Sequence, residues 1–291
     1  MKKLKVVIIG KSGQLANELM AEVPKHIQVI ALGRDDVDIT SMASFTQVIE
    51  QNSPSVIINA SAYTAVDKAE TDIDAAYALN KTAVEIIATV AKSYDIRLLH
   101  VSTDFVFDGQ SNKAYGVNSS TSPLGVYGES KLAGETAIAN LYPENSAIVR
   151  TSWLYSSFGN NFVKTMLRLM AEKDELGVVA DQIGCPTYAK TLATFLWKLA
   201  ETKDLAPTYH WSDAGVASWY DFAKAIQLLA IEQGLLDRKI PIKAIPSSAY
   251  PTPAKRPSFS LLETTEAAEI LVPIYWREQL ANCLSTLKEK L

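Results

Sequence analysis

Short apolar runs alternate with helical patterns over the first 150 residues, and this alternation constrains the fold most strongly. The runs are rich in Val, Ile and Leu and occupy residues 4–9, 29–32, 56–58, 97–101 and 147–149. Strands that are apolar along their whole length, with helices between them, form a parallel sheet covered on both faces. The sequence therefore predicts a doubly wound, Rossmann-type α/β sheet.

The pattern changes after residue 151. Helical patterns over residues 161–173, 191–202 and 218–233 are joined by irregular segments, and prolines cluster between Pro241 and Pro257 with little indication of strand or helix. We expect a Rossmann-type domain over residues 1–151, with a returning segment near 176–202, and a smaller α/β domain mainly over 152–291. A ligand would then bind in the crevice between the two parts.

Composition and charge exclude several kinds of partner. The 28 basic and 32 acidic residues give a net charge of −4, which argues against a nucleic-acid partner. The early apolar run of residues 6–9 is far shorter than the roughly 20 residues that cross a membrane, so no membrane association is expected. Cys185 and Cys283 lie far apart and the three histidines are scattered, which argues against a disulfide framework or a metal cluster. We expect a cytoplasmic protein.

A glycine-containing turn follows the first predicted strand. Its sequence is Gly10-Lys11-Ser12-Gly13-Gln14-Leu15-Ala16, and a helical pattern comes next. Glycine permits a sharp turn and the close approach of backbone N–H groups to a pyrophosphate, and the positive end of the helix adds attraction. The spacing is G-x-x-G-x-x-A rather than G-x-G-x-x-G, so a plain strand-to-helix turn stays an alternative.

The end of the second strand bears on which dinucleotide would bind. NAD-selective sites usually carry Asp or Glu there to hold the ribose 2′-hydroxyl. Here Gly33 occupies the position and Arg34 follows, while Lys11 lies in the glycine turn. Two cations near the ribose favour a 2′-phosphate and hence NADPH. Asp35 and Asp36 can offset Arg34, so two solvated surface charges, and NADH as cofactor, stay open.

Two polar segments carry candidate chemistry. Thr103 lies just past the predicted strand of residues 97–101, whereas Tyr127 and Lys131 open a helix four residues apart and share one face. A phenol titrates near about pH 10, and a nearby ammonium lowers that pKa, which would make Tyr127 an acid–base catalyst. Thr103 would hydrogen-bond the same carbonyl oxygen. Y-x-x-x-K also arises by chance on exposed helices, but its combination with the glycine turn and Thr103 is far more specific.

Together these motifs resemble the extended short-chain dehydrogenase/reductase superfamily and, more narrowly, its dTDP-4-dehydrorhamnose reductase family. The similarity runs along most of the chain. It covers residues 13–15, 59–70, 102–109, 127–135, 150–155, 159–162 and 181–187, together with Arg256, Pro257 and Ser260.

The resemblance implies roles for individual residues. It implies cofactor contacts at Gly13, Gln14, Leu15, Asp38, Ile39, Ala62, Tyr63, Thr64, Val101, Tyr127 and Lys131, to which the two patterns above add Gly10 and Arg34. It implies substrate contacts at Thr103, Asp104 and Trp153. Trp153 has plain core packing as its alternative. Asn80 is either an ordinary helix-face amide or a structural or relay amide, and we interpret His100 as a core histidine.

The activity that the resemblance implies is reduction of the C4 ketone of dTDP-4-dehydro-β-L-rhamnose to dTDP-β-L-rhamnose by hydride from NADPH, in dTDP-rhamnose and cell-surface polysaccharide biosynthesis. The partner would be a dTDP-sugar. A homodimer and a need for Mg²⁺ stay open, although the sequence offers no ligand cluster for a metal. Two alternatives remain: a reductase or epimerase of another nucleotide-linked deoxy sugar, and a non-catalytic dinucleotide-binding regulatory subunit of methionine adenosyltransferase.

Overall fold

The computed structural model describes residues 4–290, which form strands and helices in alternation. The strands are β1 (Leu4–Ile9), β2 (Ile27–Leu32), β3 (Val56–Asn59), β4 (Arg97–Thr103), β5 (Ser146–Thr151), β6 (Leu154–Tyr155), β7 (Leu176–Val179), β8 (Ile183–Gly184), β9 (Thr187–Tyr188), β10 (Thr208–Trp211), β11 (Ala217–Ser218) and β12 (Ile242–Ile245). The α-helices are α1 (Gln14–Ala21), α2 (Met42–Asn52), α3 (Val66–Ala69), α4 (Ile73–Tyr77), α5 (Ala83–Ser93), α6 (Val126–Leu141), α7 (Phe162–Glu172), α8 (Ala189–Glu201), α9 (Trp219–Glu232), α10 (Thr265–Ala268) and α11 (Trp276–Glu289). A π-helical turn, Ala78–Thr82, joins α4 to α5.

The central sheet has six parallel strands in the order β2-β1-β3-β4-β5-β10. The chain moves from β1 to β2 in one direction and then returns to build β3 to β5 on the other side of β1. In open α/β sheets, ligands bind at the carboxyl ends of the strands that flank such a reversal. The predicted doubly wound parallel sheet is confirmed, and its reversal lies between β1 and β3.

Helices cover both faces of this sheet, which explains why its strands are apolar throughout. In β1, Val6 and Ile8 pack against α1 and α8, whereas Val7 and Ile9 pack against α2, α5 and α6. All four side chains are buried. Each contributes about 1.5–3 kcal/mol by leaving water, so a polar residue on either face of β1 would be costly.

The residues after β5 contribute to two separate cores. Helix α8 packs on α1, and β10 pairs with β5 at the edge of the main sheet. A second core lies among α7, α9 and α11, flanked by the strand pairs β7/β12, β6/β9 and β8/β11. Residues 176–179 therefore pair with β12 outside the main sheet. Helix α8 (189–201) packs against the main sheet, and β10 (208–211) is one of its strands. The division of the chain at residue 151 stays a prediction.

Two kinds of feature are absent from residues 4–290. None of the helices there combines the length and apolar character that crossing a membrane requires. Over the same range, no three or more His, Cys, Asp or Glu side chains gather as ligands for a metal ion.

Candidate active site

The carboxyl ends of β1, β3, β4 and β5 open into one cleft of about 1180 Å³. All of the residues that the sequence singled out as candidate site residues line it: Gly10, Gly13, Gln14, Leu15, Arg34, Asp38, Ile39, Ala62, Tyr63, Thr64, Val101, Thr103, Asp104, Tyr127, Lys131 and Trp153. The fold therefore brings together residues that are up to 143 positions apart, from Gly10 to Trp153. Which of them touch a ligand stays a prediction.

The glycine turn between β1 and α1 forms a cradle for a phosphate group. Gly10 has φ +102°, and a Cβ added there would lie 2.9 Å from the backbone oxygen of Ala60, so a side chain does not fit. The Gly13 N–H donates to the Gly10 carbonyl at 2.8 Å, which closes the turn. Within residues 4–290 no side chain caps α1, so the N–H groups of its first turn are left for a ligand or solvent. This arrangement fits a pyrophosphate.

The two cations expected near the ribose have different surroundings. Lys11 Nζ lies 3.3 Å from Asp36 Oδ2, which also accepts a hydrogen bond from the Gly33 N–H at 2.8 Å. Both contacts lower the pKa of Asp36, and the hydrogen bond from Gly33 has the larger effect. Asp36 thus pairs with Lys11, and no ion pair joins it to Arg34 in the part of the chain that the structure describes. Of the two cations, only Arg34 lines the cleft among the described residues.

Asn80 holds the loop that follows β3. Its Nδ2 donates to the Tyr63 carbonyl at 3.1 Å and to Ser130 Oγ at 3.0 Å, and its Oδ1 accepts from the Tyr63 N–H at 2.9 Å. The side chain is fully buried and comes from the π-helical turn. Of the two interpretations that the sequence left open, these contacts favour the structural amide, because they fix the part of the cleft formed by Ala62, Tyr63 and Thr64.

Tyr127 lies in the first turn of α6, and its ring meets Phe105 edge-on with centroids 5.4 Å apart. Burial raises the pKa of Tyr127 to about 12; a hydrogen bond with Thr103 lowers it less, and the Asp104 carboxylate raises it further. The sequence-based expectation that Lys131 lowers this pKa is wrong for the described arrangement. Lys131 Nζ donates to the Val101 carbonyl at 2.8 Å and is thus directed towards β4. A phenol with so high a pKa is protonated at neutral pH and can donate its proton.

Thr103 and Asp104 lie where β4 ends. Thr103 Oγ1 accepts from the Phe105 N–H at 3.2 Å and donates to Asp104 Oδ1 at 3.1 Å. Asp104 is buried, and its Oδ2 makes no close hydrogen bond among residues 4–290. Burial raises the pKa of this carboxyl to about 6, although the side chains of Ser260 and Thr103 act in the opposite direction. A buried polar atom without a partner is costly, so Asp104 is suited to receive a hydroxyl group of a ligand.

Trp153 also lines the cleft, and its neighbours fix the position of its indole ring. Its φ of +47° is in the left-handed region, which non-glycine residues rarely adopt. The indole stacks on Trp219 with centroids 3.7 Å apart and planes 8° from parallel. A Cβ at position 184 would come within 2.8 Å of the indole, so Gly184 makes room for it. Trp219 could not be predicted from the sequence, because no local pattern links it to a residue 66 positions earlier.

Comparison with known proteins agrees with this geometry. The family model described as the RmlD substrate binding domain matches residues 4–289. The dTDP-4-dehydrorhamnose reductase of Aggregatibacter actinomycetemcomitans is 41% identical over 287 residues, which cover 96% of this chain and 97% of that protein.

Two solved structures are similar over almost the whole chain. The dTDP-4-dehydrorhamnose reductase of Clostridium acetobutylicum has a TM-score of 0.92 and 36% identity, covering 98% of this chain and 100% of its own. The Bacillus anthracis dTDP-4-dehydrorhamnose reductase, solved in complex with NADP, has a TM-score of 0.91 and 35% identity, covering 98% and 99%. By sequence and by fold, this chain belongs to the dTDP-4-dehydrorhamnose reductase family.

Proposed function

We propose that this protein reduces the C4 ketone of dTDP-4-dehydro-β-L-rhamnose to dTDP-β-L-rhamnose with NADPH, in dTDP-rhamnose and cell-surface polysaccharide biosynthesis. One observation carries the proposal. The phosphate cradle at Gly10 and Gly13 and the trio Thr103, Tyr127 and Lys131 line the same cleft. Membership of the reductase family supports the choice of reaction and substrate.

NADPH is the proposed cofactor, and when bound it supplies the hydride. The NADP in the Bacillus anthracis relative supports this choice. In this chain the residues offered to it are the glycine cradle for the pyrophosphate and Arg34 for a 2′-phosphate. Arg34 favours NADPH over NADH because a guanidinium binds a phosphate by charge-assisted hydrogen bonds, whereas a neutral 2′-hydroxyl gains less from it.

Tyr127 is the proposed proton donor. As hydride reaches C4, negative charge develops on the former ketone oxygen, and the phenol of Tyr127 transfers its proton to that oxygen to give the alcohol. The Thr103 hydroxyl orients the same oxygen by a hydrogen bond. Lys131, one helical turn from Tyr127, provides positive charge and donors for the ribose hydroxyls. Proton donation by a positioned side chain typically contributes about 10²–10⁴ in rate.

Trp153 and Asp104 are the proposed sugar contacts. The indole of Trp153 offers an apolar face of fixed orientation, because Trp219 supports it from behind. Asp104 Oδ2 offers an acceptor for a sugar hydroxyl. A flat apolar face and a hydrogen-bond acceptor in the same cleft suit a 6-deoxy sugar, which has one apolar edge and several hydroxyls.

We also place the protein in the cytoplasm. Cys185 and Cys283 are both buried free thiols, which fits a reducing compartment. The substrate is a small nucleotide sugar, and the net charge of −4 gives no support to a nucleic-acid partner.

A Tyr127→Phe variant tests the proposed chemistry. We expect kcat to fall by about 100-fold or more, with little change in the dissociation constant of NADPH, because the phenol proton is needed only in the transition state. The measurement is NADPH consumption in the presence of the 4-keto sugar nucleotide, with the product identified as dTDP-β-L-rhamnose. Tyr250→Phe is the matched control, since that side chain is 63% exposed.

Three outcomes would contradict the proposal. Undiminished turnover by Tyr127→Phe removes Tyr127 as proton donor. Conversion of the sugar without net consumption of NADPH identifies an epimerase. Binding of dinucleotide with no turnover of any nucleotide-linked keto sugar favours a regulatory subunit.

A further inference from the structure

His100 and Lys131 form a buried pair behind the cleft. His100 is 0% exposed and Lys131 2% exposed, although both are polar. Lys131 Nζ donates to the Val101 carbonyl at 2.8 Å and lies 3.3 Å from His100 Nε2. The residue interpreted from the sequence as a core histidine therefore faces the proposed catalytic lysine.

Asn59 determines which nitrogen of His100 carries the proton. The backbone N–H of Ser61 can only donate, and it points at Asn59 Oδ1 at 3.1 Å, as does the Ser61 hydroxyl at 2.6 Å. The amide of Asn59 is thereby oriented, and its Nδ2 lies 3.1 Å from His100 Nδ1. An amide nitrogen donates, so His100 Nδ1 accepts and the neutral imidazole has its proton on Nε2.

This tautomer makes the contact with Lys131 depend on the charge of the lysine. An Nε2–H needs an acceptor, and an ammonium offers only donors. An amine does better, because its lone pair accepts from Nε2–H while one of its own N–H groups donates to Val101. Burial also lowers the pKa of Lys131, to about 8, and lowers the pKa of His100 well below its usual range, so His100 is not the member of the pair that gains charge.

We propose that His100 is a positioning residue that makes Lys131 Nζ a hydrogen-bond acceptor and so favours its amine form, and that at alkaline pH dinucleotide binding restores the ammonium by taking up one proton from solvent. The second half rests on the proposed function. Ribose hydroxyls can accept from the ammonium, and the negative charge of the dinucleotide favours it. The only bond formed in this step is Nζ–H.

Other charged groups near Lys131 do not replace His100 in this role. Glu135, one turn along α6, raises the pKa of Lys131, but its carboxylate is held by Arg150, with Nη2 to Oε2 at 2.7 Å. Tyr127 on the same helix is neutral through the relevant range, because its pKa is raised to about 12. Asp104, at the end of β4, acts on Tyr127 and is ionised above about pH 6. Among the groups facing Lys131, His100 thus contributes the hydrogen bond that disfavours the ammonium.

The first test is a pH titration of the Lys131 side chain in the free, full-length protein, by NMR of protein labelled with ¹³C at lysine Cε. Lys131→Arg assigns the signal. We expect a midpoint near pH 8 in the parent protein. In His100→Gln the side-chain oxygen can accept from an ammonium, so the midpoint should rise by about one pH unit or more, towards the ordinary lysine value of about 10.4.

A second variant, Asn59→Asp, tests the same role if His100→Gln does not fold. In Asn59→Asp the introduced carboxylate accepts from His100 Nδ1, which moves the imidazole proton there and leaves Nε2 to accept from the ammonium. The midpoint should rise here too. His26→Gln is the matched control, because His26 is exposed and pairs with Glu201 far from the cleft. A parent midpoint near about pH 10.4, or a midpoint that neither variant moves, would overturn the role of His100.

The second test measures the dissociation constant of NADPH against pH, together with proton uptake by calorimetry in buffers of different ionisation enthalpy. In the parent protein, affinity should weaken about tenfold per pH unit above pH 8, with uptake approaching one proton. In His100→Gln the weakening should begin about one pH unit higher. Binding of NADPH to the parent protein above pH 8 without proton uptake refutes the proposed effect of the dinucleotide on Lys131. If NADPH does not bind but the NMR midpoint shifts as expected, the role of His100 stands and the proposed function fails.

Discussion

Asp104 is a buried carboxylate in the lining of the cleft. It is 2% exposed, one of its oxygens makes no close hydrogen bond among the described residues, and burial raises its pKa to about 6. The folded protein therefore holds a proton on Asp104 over a pH range in which the unfolded chain has released it. A protein keeps so costly a group mainly where function needs it.

The free energy of unfolding should depend on pH because of Asp104. Between about pH 4 and pH 6 the folded state binds more protons than the unfolded state, so this residue's contribution to stability is lost as the pH rises. Asp104→Asn removes the titration, and its stability relative to the parent should increase across that range by up to about 3 kcal/mol. Urea unfolding at a series of pH values measures this. Parallel curves for the two proteins would contradict it, and the exposed Asp237→Asn is the control.

At the scale of residues, the sequence located the cleft better than it described the chemistry there. Thr103, Tyr127 and Lys131 could be selected because a strand end and a four-residue helical spacing are local patterns. The orientation of Lys131 could not be predicted, because its partners Val101 and His100 lie on β4, about 30 residues earlier in the chain. The role of Trp219 could not be predicted either, because its stacking on Trp153 depends on tertiary structure alone.

Helix α6 carries Tyr127 and Lys131, and it packs closely against the π-helical turn Ala78–Thr82. A Cβ added at Gly134 would lie 2.2 Å from the Asn80 carbonyl oxygen, well inside van der Waals contact. This turn also separates α4 from α5, so residues 73–93 do not form one regular α-helix. That turn orients Asn80 towards Tyr63 and Ser130.

Gly134→Ala should therefore destabilise the protein, although alanine is the better helix former by about 1 kcal/mol. The added methyl group must displace either α6 or the backbone at Asn80, and such overpacking typically costs about 1–3 kcal/mol. Asn140→Ala, at an exposed position of the same helix, should change stability by no more than about 0.5 kcal/mol. Urea unfolding compares the two; a Gly134→Ala protein as stable as the parent would show that the helices can separate without cost.

Elements with strong periodicity were predictable, whereas short ones were not. The predicted runs fall within β1 to β5, and the helices after residue 151 match α7, α8 and α9 to within about two residues. Strands such as β8 and β11 have two residues each, too few for any alternation to be seen. The proline-rich segment 241–257 contains β12, whose pairing with β7 decides its conformation.

For the molecule as a whole, contacts between distant segments fix the shape of the cleft. Arg256 Nη1 and Nη2 donate to the two oxygens of Asp67 at 3.0 and 2.9 Å, and the Ala254 N–H donates to the same carboxylate. Ser156 Oγ donates to the buried Glu18 at 2.6 Å. These bonds join segments 138 to 189 residues apart.

A double-mutant cycle with Asp67→Asn and Arg256→Met should give a coupling energy of about 1 kcal/mol, since the pair is bidentate but partly exposed. The coupling should decrease at high salt. The exposed pair Arg168–Glu172, at 3.2 Å, serves as the control and should give about 0.3–0.5 kcal/mol. Equal coupling energies for the two pairs would show that the bidentate geometry adds nothing. Chemical denaturation of the single and double variants supplies the values.

The late position of α8 and β10 in the chain has a consequence for synthesis on the ribosome. Leu192, Phe195 and Leu196 cover the sheet face formed by Val6 and Ile8. While β1 to β5 are already outside the exit tunnel, that face has only α1 as cover, and the edge of β5 has no neighbour until Trp211 emerges. The nascent chain thus passes through a stage with an exposed apolar surface and an open strand edge, the features by which chaperones select their clients.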